Sequence, residues 1–452
     1  MHDLLPFIVS GIPIGAIYGL AATGLVLTYK TSGIFNLGHG AIATFVAYCY
    51  YWLTAVHGWS TWPALAVAVL VVGPLIGLAL ERFASQLAPQ TQALKIVGTI
   101  GLVLLVQGLA SIKFGTLTLR LPAFIPGADQ KVTIGGVVIT YDQIAITGFV
   151  LVVVAALAGI FRWTRTGVAM RAVVDDSELL AGLGRNPQTI RRYAWVIGAT
   201  LAGASGVLIA PIIGLDAILL TYMVVQAFAA AAIGGFTNVP VTLLGGLAVG
   251  VLSAVANKYA LGHESLSGLP ASVPFLLLFG VLLLRGRKLA ELGASTRVLP
   301  EPYRAPARFR LLAGLCVAAA LLVVPSLVGF RLTYFTTALC TGILLLSLGL
   351  LVRLSGQVSL CHAAFAAIGA VAFSQLHVDH GLPWLVAVLL GSLIVVPIGA
   401  LVAIPAVRLS GLFLALATFG FGTLVQQLFF PQQWMFTPVS YTHLTLPTNR
   451  EV

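Results

Sequence analysis

Polar side chains are scarce in this chain, so those that recur at fixed spacing inside apolar surroundings stand out. The stretch TSGIFNLGHGAIATFVA (31–47) sets Asn36 and His39 behind a glycine break, and LSGQVSLCHAAFAAIGA (354–370) sets Ser359 and His362 in the same register. An amide, hydroxyl or imidazole at membrane depth costs free energy unless it lines a cavity or finds a partner. On one reading, Asn36, His39, Ser359 and His362 line or gate a conduit. On the other, the SGIFNLGHG stretch is a helix N-terminus, capped by Ser32 or Asn36 at the membrane edge, with His39 satisfied by a backbone carbonyl. A break repeated in two places fits discontinuous helices beside a transport path.

A second constellation lies in TGVAMRAVVDDSELLAGLGRNPQTIRRYAW. Val168, Ala172, Val173, Leu179, Leu180 and Leu183 form an apolar stripe, and Asp175, Asp176 and Glu178 fall on another surface. The pattern predicts a short amphipathic helix ending near Gly184, with Pro187 opening a new element. Such a helix either sits in a partner's groove or lies on lipid. Acidic residues beside anionic headgroups are unfavourable, which favours the partner.

Absences narrow the chemistry. The chain contains no GxxxxGK[ST] and no Gly-Lys dipeptide, hence no P-loop for ATP. Intramembrane Asp and Glu are nearly missing, which counts against an ion relay, and neither HExxH nor GxSxG occurs. No catalytic group, metal or cofactor is indicated. Cys49, Cys316, Cys340 and Cys361 form no CxxC pair and read as small core residues.

The elements that hold these residues follow from composition. Of 452 residues, 59% are hydrophobic and 8% charged, where a soluble domain carries roughly a quarter charged. Apolar runs fall at about 4–29, 39–56, 62–81, 94–112, 143–161, 193–212, 222–236, 239–257 and 272–285, then at 311–329, 334–353, 359–378, 384–407 and 412–430. The expectation is an all-α polytopic membrane protein of about fourteen transmembrane helices, since open backbone in lipid leaves amides unsatisfied. The start, MHDLLPF, lacks the features of a cleaved signal peptide, and its apolar run is the first span.

The net charge of +11 reads as cytoplasmic loops rather than as a nucleic-acid surface. Basic segments 162–192 and 285–310 are placed inside, which puts Lys30, Arg82, Lys95, Arg353 and Arg408 inside too, and Met1 outside. Residues 113–142 then form an external loop whose KVTIGGVVITY favours a short hairpin. Gly234, Gly235, Gly245, Gly246 and Gly250 mark close helix packing, with Asn238 and Pro240 at a turn between spans.

The chain repeats. Ser32, Gly33, Leu37, His39, Ala41, Ala43 and Ala47 recur at one constant offset as Ser355, Gly356, Leu360, His362, Ala364, Ala366 and Ala370. His57-Gly58 and Pro74 recur as His380-Gly381 and Pro397, and GTIGLVLLVQ (98–107) matches ATFGFGTLVQ (417–426) after a small shift. The expected organisation is a first unit over 1–286, a linker over 287–310 rich in proline and charge, and a second unit over 311–438. The units read as two homologous parallel bundles related by an axis along the membrane normal, with a pathway between them.

These blocks resemble the permease of the branched-chain amino-acid ABC importers, with two permease subunits fused and the second truncated. GLAATGLVLTYKTSGIFNLGHGAIATFVAY resembles the opening of the first subunit, the 164–211 stretch its coupling loop, and AFAAAAIGGFTNVPVTLLGGLAVG its late spans. LGLLVRLSGQVSLCHAAFAAIGAVAF and LSGLFLALATFGFGTLVQQL resemble the start of the second. Thr237 and Val241 depart from the pattern, standing where glycine is usual.

The resemblance implies a non-enzymatic, multi-pass permease of the bacterial plasma membrane. It implies leucine, isoleucine and valine delivered by an extracytoplasmic solute-binding protein, and two cytoplasmic ATP-binding subunits as partners. Asp175, Asp176, Glu178, Ala181 and Gly184 would carry ATPase coupling. The rivals are an ion-driven secondary carrier, a sugar or nucleoside permease of the same architecture, and a non-transporting scaffold or receptor subunit. The last residues, VSYTHLTLPTNREV, resemble a translated sequencing adapter, so 439–452 are expected to be non-native.

Overall fold

The computed structural model describes residues 4–33, 36–88, 90, 92–121, 131–134, 137–290, 305–406, 409, 411–432 and 434–435. The helices are α1 (Leu5–Ser32), α2 (His39–Tyr51), α3 (Thr61–Val67), α4 (Gly73–Leu87), α5 (Gln92–Phe114), α6 (Tyr141–Trp163), α7 (Arg165–Asp175), α8 (Ser177–Gly182) and α9 (Pro187–Ile213). There follow α10 (Ala217–Ile233), α11 (Val239–Ala260), α12 (Leu269–Ala290), α13 (Ala307–Val328), α14 (Leu332–Ser355), α15 (His362–Ser374), α16 (Trp384–Ala406) and α17 (Gly411–Leu424). Strands β1 (Lys131–Ile134) and β2 (Val137–Thr140) pair antiparallel, Lys131 opposite Thr140, where the external hairpin was expected.

Every apolar run of the sequence is helical, and the protein is an all-α polytopic membrane protein. Nine of the described helical spans are long and apolar enough to cross a membrane, fewer than the fourteen runs. Part of the difference is length: α10 and the Phe413–Phe429 stretch are short. In addition, α2 and α15 start after a glycine break and pass into π-helical turns at Trp52–Val56 and Gln375–Asp379. Such turns widen the helix by one residue per turn and leave a local distortion.

The sequence repeat is also a repeat of conformation. α1 ends at Gly33 with φ +66° and α14 at Gly356 with φ +67°, the left-handed region where a Cβ is penalised. Each is followed at the same spacing by a 13-residue helix beginning with histidine, a five-residue π turn, and a second left-handed glycine, Gly58 or Gly381.

The chain divides into two compact units, Met1–Arg285 with Thr423–Val452, and Gly286–Gly422. The described residues after Gly422 are thus grouped with the first unit, where the Gln432 side-chain amide donates to the Ser265 carbonyl at 2.8 Å. Around the expected linker over 287–310, α12 runs to Ala290 and α13 starts at Ala307; residues 291–304, like 439–452, lie outside the described residues.

In the first unit α1 and α9 are the most enclosed spans. Glycines set how close their neighbours come. A Cβ on Gly15 would lie 2.8 Å from the Gly246 carbonyl oxygen, and one on Gly250 would strike the Gly15 backbone, so α1 and α11 touch main chain to main chain. In the same way Gly206 of α9 lies on the backbone of Ala43, and Gly40 of α2 on that of Thr221.

In the second unit the N–H of Leu360 donates to the Thr418 hydroxyl at 3.0 Å, tying the segment before α15 to α17. The cysteines differ from expectation: Cys361 is buried, but Cys316 and Cys340 are exposed, because α13 and α14 present apolar faces outward.

Candidate functional site

The glycine break after α1 returns the chain so that α2 starts against α1. His39, fully buried, points Nε2 at the Ala21 carbonyl at 2.9 Å. A carbonyl only accepts, so Nε2 carries the proton and Nδ1 of the neutral ring is an acceptor. That atom and the Asn36 Nδ2 are both buried without a hydrogen-bond partner among the described residues. The carbonyl contact expected on the bland reading is therefore present. The cap is not: α2 has no side-chain cap, and the Ser32 hydroxyl donates back to Thr28 O at 2.6 Å.

Deeper along α2, the hydroxyls of Thr44 and Thr221 of α10 lie 3.2 Å apart in a fully buried contact. Sequence reasoning passed over both; threonine in an apolar span usually bonds its own helix, and both do so here as well.

In the second unit Ser359 is buried, its Oγ 3.2 Å from the Cys361 Sγ. His362 lines a cavity of about 610 Å³ between α14, α15 and α16, and its Nδ1 is a further buried atom without a partner among the described residues.

The predicted amphipathic helix is two helices. Asp176 adopts extended backbone, φ −153° and ψ 101°, between α7 and α8. Its carboxylate accepts from the N–H groups of Glu178 and Leu179, both at 2.9 Å. It is thus an N-cap rather than a helix-face acid, because Asp competes for main-chain donors. The side chain of Asp175 lies outside the described residues.

Gly184, φ +77°, ends the segment, and Asn186 caps α9 by accepting from Gln188 N–H at 2.9 Å. The stripe divides. Val173 and Leu180 are buried with Met170, Leu27, Ile190 and Ala194, whereas Leu179 and Leu183 are 62% and 74% exposed. Glu178, Ala181 and Gly184 are exposed with them, forming a short apolar tip with one acid on a buried base.

The base is braced from α4. Arg192 Nε donates to Glu81 Oε2 at 3.2 Å, and the carboxylate is buried. This pair was missed; the signal available was one acid inside the apolar run LALERFASQL.

Long apolar helices, broken helices carrying buried polar groups and an exposed tip on a braced base define a multi-pass membrane protein. Residues 7–284 match the family described as branched-chain amino acid transport system / permease component, and the chain belongs to that family. It is 28% identical over 265 residues to the high-affinity branched-chain amino acid transport system permease protein BraD of Pseudomonas aeruginosa, covering 56% of this chain and 86% of that protein. To the permease protein LivH of Escherichia coli it is 27% identical over 264 residues, 55% of this chain and 85% of that one. Over 84 residues it is 40% identical to the high-affinity branched-chain amino acid transport system permease protein LivM of Salmonella typhimurium, 19% of this chain and 20% of that protein. No solved structure matches. The chain is a multi-pass transport component of the plasma membrane.

Proposed function

We propose that this permease moves branched-chain amino acids handed over by an extracytoplasmic solute-binding protein, and that two cytoplasmic ATP-binding subunits drive it by engaging the segment Asp175, Asp176, Glu178, Ala181 and Gly184. One observation carries the coupling reading: Leu179 and Leu183 are exposed at the tip while Leu180 and Val173 anchor it to α9. A groove that takes the tip moves the base with it. To shift a two-state bundle from mostly one form to mostly the other, the partners must supply roughly 5 kcal/mol of differential binding.

Asn36 and His39 are path residues of the first unit, and Ser359 and His362 those of the second. Support comes from chemistry: the Asn36 amide is a donor suited to a carboxylate and His39 Nδ1 an acceptor suited to an ammonium, and an α-amino acid brings both. In the described conformation the two are buried, which fits a path that opens only in part of the cycle. The repeated conformations support a second permease beginning in the second block, with 287–310 as the join and 311–438 as its start.

The experiment is uptake in proteoliposomes. Leucine accumulation should require binding protein, ATPase subunits and ATP together, and Asn36→Leu and His39→Phe should raise the KM for leucine. Accumulation driven by an ion gradient without ATPase subunits overturns the proposal.

A further inference from the structure

In the first unit α9 lies in a groove made by α1, α2 and the span Thr61–Leu87, which runs from α3 through α4. Glycines on both sides fix it there. A Cβ on Gly24 of α1 would lie 2.8 Å from the Gly198 carbonyl oxygen, and one on Gly73 of α4 would lie 3.2 Å from the Cα of Thr200. A Cβ on Gly203 would lie 2.9 Å from the Val46 side chain, and Gly206 rests on the main chain of Ala43. Gly24, Ala43, Val46 and Gly73 are all buried.

At the offset that carries Ser32 to Ser355 and Pro74 to Pro397, these four positions become Ser347, Ala366, Gly369 and Val396. All four line the cavity of about 610 Å³ between α14, α15 and α16. Ser347, Ala366 and Val396 are exposed there and Gly369 is half-buried. The surface that α9 covers in the first unit is therefore uncovered in the second, formed by the three corresponding spans. The lining hydroxyls of Ser347 and Ser392 donate to Leu344 O and Val388 O of their own helices, so neither calls for a polar ligand.

We propose that this groove seats a transmembrane helix of the α9 kind, carrying glycine or alanine at the positions of Gly198 and Gly206 and supplied from outside these 452 residues. Helices in a bilayer associate by close packing, and small residues on the facing surfaces let their main chains approach. The longest segments outside the described residues, 291–304 and 436–452, are interrupted by prolines and charges and are shorter than the roughly 20 apolar residues of a span, so neither is that helix. One position differs between the two grooves. Where Gly203 meets the Val46 side chain, the second groove offers Gly369, which leaves the seated helix room for a larger residue.

The test uses the full chain in lipid nanodiscs and a synthetic peptide of the α9 sequence, Pro187–Ile213, with photoreactive leucine in place of Gly203. Cross-linked sites are mapped by mass spectrometry. Cross-links should fall on α14, α15 and α16 around Gly369. Gly399→Phe fills the groove from a position where a Cβ meets nothing within 4 Å, and should lower the yield at least about tenfold. Gly349→Phe, equally unhindered but away from the cavity, should behave as wild type.

A peptide that also carries Gly198→Leu and Gly206→Leu should lose the cross-links on the unaltered chain, which keeps the test decisive if Gly399→Phe fails to fold. Absence of cross-links, cross-links confined to the first unit or spread over the exposed face of α13, or a yield insensitive to Gly399→Phe and to the leucine peptide overturns the proposal. The inference rests on the reading of the second block as a repeat of the first. Because its readout is cross-linking, its failure is separate from any result of the uptake experiment.

Discussion

Arg192 of α9 holds Glu81 of α4 through a single Nε–H···Oε2 bond of 3.2 Å, the carboxylate 4% exposed and the guanidinium 46% exposed. The asymmetry sets what each partner's loss costs. A buried carboxylate stripped of its cation is far worse off than a half-solvated guanidinium stripped of its anion. Arg192→Ala should therefore destabilise by about 2 kcal/mol, discounted for the solvent already reaching the arginine, and Glu81→Gln by less. Thermal unfolding in detergent should show the double variant less destabilised than the sum of the singles.

The α1–α11 crossing leaves no room for a side chain. Gly15→Leu and Gly250→Leu should each cost at least about 3 kcal/mol by forcing the main chains apart, seen as lost monodisperse protein on size exclusion. Gly101→Leu on α5, where a Cβ meets nothing within 4 Å, is the control and should be tolerated.

Removing the cap between α7 and α8 should uncouple without unfolding. Asp176→Ala gives up two hydrogen bonds at a helix start, worth about 1 kcal/mol, and frees the tip from its fixed angle. The expected outcome is reduced ATP-driven uptake with a melting midpoint lowered by no more than about 2 °C, both restored by Asp176→Ser, which caps as well. Unchanged uptake in Asp176→Ala would show that the angle of the tip is immaterial.

In the second unit, Thr418→Val removes the acceptor of the Leu360 N–H and should cost about 1–2 kcal/mol, while Thr418→Ser keeps the bond and should cost little. Hydrogen exchange at the Leu360 amide reads this locally: faster in the valine variant, unchanged in the serine variant.

The repeat of a glycine break and a following histidine was readable in the sequence, and the backbone follows it down to the matching π turns at Trp52–Val56 and Gln375–Asp379. The π turns themselves were not readable, because one extra residue in a helical turn leaves no mark on an apolar pattern. The tip was read as one amphipathic helix, since Asp176 fits a helix face as well as it fits a cap until its carboxylate is seen on the two N–H groups. Val168, Leu179 and Leu183 were grouped with Val173 and Leu180 by periodicity, yet only the last two are buried.

What the sequence decided by itself is local. In a bilayer, chain segments of apolar residues must satisfy their own backbone, so hydropathy alone makes them helices, and glycines such as Gly33 and Gly356 end them. Which polar atoms find partners was decided only by packing. His39 meets Ala21, Thr44 meets Thr221 and Glu81 meets Arg192 because glycine-faced helices approach to main-chain contact. Apolar side chains specify how deep a helix lies in the membrane, but not which neighbour it faces.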